Sequence, residues 1–200
     1  MRFLRTIAFA AAILITAHAQ ALRIDLVPNT AIVTVPGTTS LNIVLSELDA
    51  AGQVVSAYDL SFLYDALLVN AIGVTFGGAL GGAGDSVFGS DLTVPGAVQV
   101  FEVSLLSDTD LDALQGDSVL LASLTFRGLS PGISSLSFDD PLFLVGRDGV
   151  PLADVSVGGA RIIVQPGTVP EPATSVLLLL GLAAAALFSR SRSRRHGAAR

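Results

Sequence analysis

Residues able to do chemistry are scarce in this sequence, and their placement excludes several reaction classes. The only histidines are His18 and His196, near the two ends, and the chain has no Cys and no Lys. Between Gln20 and Thr168, then, no Ser–His, Cys–His or Lys-based nucleophile can be assembled. A zinc site of His and Cys is excluded for the same reason. Carboxylates remain: sixteen Asp and Glu, set in that segment against Arg23, Arg127, Arg147 and Arg161 alone. Glu47 and Glu102 keep paired-carboxylate glycoside hydrolysis formally open, but neither stands in a motif for it. Trp, which would raise the case for sugar stacking, is absent. Tyr58 and Tyr64 are the remaining aromatic candidates, and both stand at core parity, which favours packing with a hydrogen-bonded hydroxyl.

Asp108, Asp110 and Asp112 have the 1,3,5 spacing of a calcium loop. The analogy stops at Ala113, where the sharp turn needs Gly, and at Val119, where a bidentate Glu belongs. An EF-hand or dockerin-type loop is ruled out on that spacing. What is left is a weak calcium site of these three with Asp117, weighed against the commoner solvated acidic loop; no other cofactor is expected. Gly77, Gly78, Gly81, Gly82 and Gly84 crowd the stretch Gly73–Gly89 without the Lys-Ser/Thr of a phosphate loop. That stretch reads as a flexible connection. The acidic balance of the segment argues against nucleic acid or anionic lipid as partner.

The elements that must position these residues read as strands. Leu22, Ile24 and Leu26 alternate with Arg23 and Asp25, and Leu41, Ile43 and Leu45 repeat the pattern. Tyr58, Leu60, Phe62 and Tyr64 form another inward set, with Asp59 and Ser61 opposite. Ala31–Val35, Leu67–Thr75, Val98–Leu105, Val119–Arg127, Ile133–Phe138, Leu142–Val145 and Ala160–Gln165 complete the candidates. Turn chemistry separates them at Pro36-Gly37, Gly128–Gly132, Asp139-Asp140-Pro141 and Arg147-Asp148-Gly149. With no convincing amphipathic helix between Gln20 and Pro166, this spacing predicts an all-β fold, a β-sandwich over residues 20–166.

The two ends read as addresses. Residues 1–19 have the plan of a secretory signal peptide for the Sec translocon: Arg2 and Arg5, an apolar run Ile7–Ile15, then Ala17-His18-Ala19, with Ala17 and Ala19 as the small residues before cleavage. At the other end, a Pro-rich linker over residues 167–174 contains Val169, Pro170, Glu171 and Pro172. An apolar stretch at 175–189 follows, expected to form a single helix, and Arg190, Arg192, Arg194 and Arg195 dominate the final residues 190–200. Cationic clusters resist translocation and hold that end in the cytoplasm. Ala173–Phe188 spans about 16 residues, short of the roughly 20 that cross a bilayer comfortably. A transient membrane stop therefore fits better than a permanent anchor in the inner membrane, which is the alternative. The order of motif, apolar helix and arginines resembles the PEP-CTERM sorting signal of Gram-negative bacteria over residues 169–195. Two departures are the missing aromatic at Ser175-Val176 and the extension His196–Arg200. The resemblance implies processing by an exosortase, a membrane-embedded cysteine protease, and delivery to the outer envelope or extracellular matrix.

The domain resembles the cohesin family, β-sandwiches of jelly-roll topology. The resemblance rests on Tyr58–Asp65 with Leu67-Leu68-Val69, on Gly116–Arg127, and on the closing strand Gly158–Val164, with Ala66 standing where the family usually has Pro. The resemblance speaks for fold more than function; with the sorting tail, the expectation is a non-catalytic surface or matrix protein that binds a protein module, dockerin-like or other, or exopolysaccharide in a biofilm. A carbohydrate-binding module is the first alternative and a glycoside hydrolase the more distant one.

Overall fold

The computed structural model describes residues 21–167, together with helical Leu178 and Leu180–Leu182. The chain divides into two units with the boundary between Pro166 and Gly167. No helix among the described residues is long and apolar enough to cross a membrane. The expected helix at 175–189 falls largely outside them, as do the signal peptide and the arginine cluster.

Among the described residues of the first unit there are twelve strands. One sheet joins β11 (Ser156–Gly158), β1 (Arg23–Pro28), β3 (Thr38–Ser46), β8 (Ser118–Gly128) and β5 (Val69–Phe76), in that order. The other runs β2 (Ile32–Thr34), β12 (Ala160–Gln165), β9 (Gly132–Phe138), β4 (Ala57–Leu63), β7 (Ala97–Ser104) and β6 (Ser86–Asp91). β10 (Phe143–Val145) pairs with the first half of β4, on the edge whose last residues pair with β9. The break between β9 and β10 falls at the turn Asp139-Asp140-Pro141.

Period-two alternation turns one face of each strand inward. Ile24 and Leu26, then Leu41, Ile43 and Leu45, line the core from one sheet, and Tyr58, Leu60, Phe62, Val98 and Val100 line it from the other. These faces share one apolar cluster, giving the all-β sandwich expected from the sequence. Tyr64 packs edge-on against Phe126, with ring centroids 5.3 Å apart. β8 carries a bulge: Ile43 faces Ala122 and Val44 faces Leu120, so Leu121 has no partner on β3. Leu121 and Ala122 are consequently both buried.

Three features depart from the sequence reading. A short helix, α1 (Leu48–Ala51), lies between β3 and β4 where no helix is expected, and a second, α2 (Asp108–Leu114), follows β7. Ser107 caps α2, its Oγ accepting from the Asp110 amide, and Leu111 anchors the helix in the interior. β5 ends within the glycine-rich stretch Gly73–Gly89 and β6 begins within it, and the residues between them are held at several points. Leu80 is fully buried, its carbonyl accepts from Ser104 Oγ at 2.7 Å, and Gly77 N–H donates to the Leu121 carbonyl at 2.8 Å. A Cβ on Gly77 would collide with the Leu120 carbonyl, so this approach requires glycine.

Because the core is fully packed on inward positions, Phe62→Ala is expected to cost about 3–5 kcal/mol. Leu67→Ala, at an exposed position, is expected to stay within about 0.5 kcal/mol. Urea unfolding of both variants checks this; equal losses would contradict the assignment of faces.

Candidate functional site

The outward face of β10, β4, β7 and β6 gathers exposed apolar side chains around a carboxylate. Register sets Val87, Val103, Ala57 and Val145 in one row across these strands, and Gly89, Phe101, Asp59 and Phe143 in the next. Val87, Val103, Phe101 and Phe143 are all exposed, between 38% and 55%. The Phe101 ring lies over Gly89, where any side chain would collide with it, an aromatic covering a strand glycine. Asp59 sits between Phe101 and Phe143 in register and accepts from Gln99 Nε2 at 2.8 Å. A cavity of about 150 Å³ beside it is bordered by Leu63, Asp91, Gln99 and Asp139. Hydrogen bonds from Thr93 hold the Asp91 carboxyl below the ordinary carboxylate range. An apolar surface with carboxylates at its centre and rim suits a partner that brings apolar side chains and hydrogen-bond donors or cations.

The residues singled out for chemistry are dispersed. Asp108, Asp110 and Asp112 lie on α2, and each carboxylate has a different partner. Asp108 Oδ2 accepts from the Asp148 amide at 2.8 Å, Asp110 Oδ2 from Ser107 Oγ at 2.6 Å, and Asp112 pairs with Arg147 at 2.5 and 2.9 Å. The Arg147 hydrogen bond holds Asp112 below the ordinary carboxylate range. Asp117 accepts from the Asp49 amide. Among the described residues no group of three or more Asp, Glu, His or Cys is arranged to hold a metal ion. Helix geometry accounts for this: Asp108 and Asp112 share one face, where Asp148 and Arg147 engage them, and Asp110 turns away to Ser107, whereas a calcium loop turns all three towards one point.

Glu47 stands in the left-handed region at the start of α1. Glu102 is buried, 1% exposed, and accepts from Ser86 Oγ at 2.8 Å, with the Tyr58 hydroxyl 3.0 Å from its other oxygen. A carboxyl so enclosed is not placed to flank a sugar polymer. Ala17, Ala19, Val169, Pro170, Glu171, Pro172, Arg190, Arg192, Arg194 and Arg195 lie outside the described residues.

Comparison with known proteins adds two findings. Residues 168–195 match the PEP-CTERM protein-sorting motif, which marks the chain as an exported, membrane-transiting protein and an exosortase substrate. No curated protein matches the chain in sequence. Among solved structures, the chain is similar to a type II cohesin domain from the cellulosome of Acetivibrio cellulolyticus (20% identity, TM-score 0.58, covering 72% of this chain and 95% of that one). It is similar to a non-cellulosomal cohesin from the archaeon Archaeoglobus fulgidus (12% identity, TM-score 0.56, 73% and 92% covered). It also resembles the sixth cohesin of scaffoldin B from Acetivibrio cellulolyticus, solved in complex with a mutant Cel5 dockerin (16% identity, TM-score 0.55, 71% and 99% covered). The likeness covers nearly the whole of each neighbour, and the fold of this domain is cohesin-like.

With the three carboxylates of α2 engaged separately, millimolar calcium is expected to leave the melting temperature of the chain unchanged. A rise that grows with calcium concentration would contradict this geometry.

Proposed function

We propose that this chain is a non-catalytic binding protein of the cell surface or extracellular matrix, delivered there by its C-terminal tail. The observation that carries the reading is the sorting motif directly behind a cohesin-like domain. In this reading residues 1–19 direct export and are removed after Ala19. Val169, Pro170, Glu171 and Pro172 form the processing motif, residues 175–189 hold the chain briefly in the inner membrane, and Arg190, Arg192, Arg194 and Arg195 stop its passage. Exosortase cleavage near Pro172 then frees the chain that carries domain 20–166 into the outer envelope or matrix. The missing nucleophiles and bases, with the occlusion of Glu102, support a binding role over a hydrolytic one.

The outward face of β10, β4, β7 and β6 is the proposed contact surface, and a protein module is the proposed partner. Support comes from the exposed Val87, Phe101, Val103 and Phe143 and from the neighbour solved with a dockerin. Whether that module is dockerin-like depends on the partner's own chemistry: it must supply apolar side chains and a donor or cation to Asp59. Exopolysaccharide is the second reading, favoured by Phe101 and Phe143 flanking Asp59, since aromatic rings beside a carboxylate also suit a pyranose.

The test is retention in the matrix fraction of native cells. Phe101→Ser with Phe143→Ser is expected to shift the exported protein from matrix to medium by about tenfold, a loss of about 1.4 kcal/mol. Both residues are exposed, so the variant is expected to remain folded by circular dichroism. Unchanged retention of a folded variant would remove this face from the proposal.

A further inference from the structure

Glu102 breaks the pattern of its strand. β7 turns Val98, Val100 and Glu102 inward, so a carboxyl stands where apolar packing is the rule. An ionised carboxylate there loses its hydration, and no cation on the neighbouring elements offsets it. β5 carries no ionisable residue, and β7 carries no other. Asp59 on β4 and Asp91 on β6 stand at outward parity, opposite Phe101 and Gln99. Arg127 on β8 pairs with Thr38 and Asn70, six residues along from Leu121. Asp85, just ahead of β6, is itself an acid. Tyr58 is the single titratable side chain that bonds to Glu102.

The hydrogen bonds impose a proton count. Ser86 Oγ donates to Glu102 Oε1 at 2.8 Å. The Tyr58 hydroxyl lies 3.0 Å from Glu102 Oε2 and 3.0 Å from the Leu121 carbonyl, the one displaced by the β8 bulge. A phenol has one proton to give, and two acceptors flank it. All these contacts are satisfied together when the carboxyl supplies a second proton.

We propose that Glu102 is a neutral carboxylic acid in the folded domain, donating from Oε2 to Tyr58 while Tyr58 donates to the Leu121 carbonyl, and that its ionisation is a pH-sensitive release of this link between the two sheets. The chain of hydrogen bonds runs from β6 through β7 and β4 to β8. Losing the carboxyl proton turns the Tyr58 hydroxyl towards the carboxylate and leaves the Leu121 carbonyl with the Gly77 amide. Protons exchange through a cavity of about 350 Å³ between the sheets, walled by Phe76, Phe88 and the loop Gly77–Ala83 and reaching Glu102. Electrostatics agree with the geometry: burial raises the Glu102 pKa, and the hydroxyls of Ser86 and Tyr58 only partly oppose it. Burial first, and then Glu102, raise the pKa of Tyr58 as well, so the phenol keeps its proton.

The sign of the effect follows from the raised carboxyl. Its contribution is fully present below the unfolded glutamate pKa of about 4.3 and is lost as pH rises through the folded value. Glu102→Gln imitates the neutral acid, its amide donating to Tyr58 and its oxygen accepting from Ser86. In the full chain, wild type and E102Q are expected to unfold at the same urea concentration in acid, with wild type falling below E102Q as pH rises. Infrared spectra followed from acid to neutral pH are expected to show a protonated-acid band that persists above the ordinary glutamate range and that E102Q lacks. Tyr58→Phe separates the two hydrogen-bond directions. It lowers the Glu102 pKa if the acid donates to the phenol and raises it if the phenol donates to a carboxylate. A glutamate titrating in or below the ordinary range, an E102Q deficit that is the same at every pH, or a rise in Y58F would overturn the proposal.

Discussion

The domain depends on two sheets each burying one alternating face, with no covalent tie between them. An exported domain without cysteine has no disulfide to restrict its unfolded state, so burial of apolar surface supplies the cohesion. That constraint explains why strand parity holds so closely on the inward side, where Leu41, Ile43, Leu45, Leu60, Phe62 and Val100 are all fully buried. It also explains the care taken at the open edge between β5 and β6. There Leu80 plugs the interior, Phe76 and Phe88 pack with centroids 4.7 Å apart, and the Gln115 amide bonds both Val55 and the Ala79 carbonyl.

Function divides along the same line. Inward faces are committed to cohesion, and the bulge at Leu121 is the point where a polar chain crosses them. Outward faces are free to differ, and that of β10, β4, β7 and β6 has gathered Val87, Phe101, Val103 and Phe143 around Asp59. Isolated exposed apolar residues are ordinary on a protein surface; four of them in adjacent register across paired strands form a patch. Address and proposed contact surface are thus independent. The first is read from a linear motif, the second exists only once register has aligned residues 57 to 145.

Much of this was legible in the sequence. The inward sets of β1, β3, β4 and β8 stand out because a half-buried strand writes its burial as a period of two. The tail was legible because its parts are contiguous and need no folding to be recognised. β6 was not, since its Ser, Gly and Asp lack strand propensity and the register with β7 alone makes it a strand. α2 carries a signal in Ser107, three residues before Asp110, which is a capping arrangement; the 1,3,5 spacing of Asp108, Asp110 and Asp112 points to a loop instead. Glu102 was visible as a carboxylate but not as a buried one, although Val98 and Val100 on the same parity placed it inside. Its partner Tyr58 lies 44 positions away in the chain, and Leu121, whose carbonyl meets the same phenol, lies 63 from Tyr58; only the sheet pairing and the bulge bring them together.

Sorting and release remain the claim on which the rest turns, and intact-mass analysis of the native protein in membrane, matrix and medium fractions tests it most directly. The account predicts a chain that begins at Gln20, ends near Pro172 and is found outside the inner membrane. A chain that still carries residues 175–200 and stays in the inner membrane would contradict it, and would make this an anchored periplasmic domain.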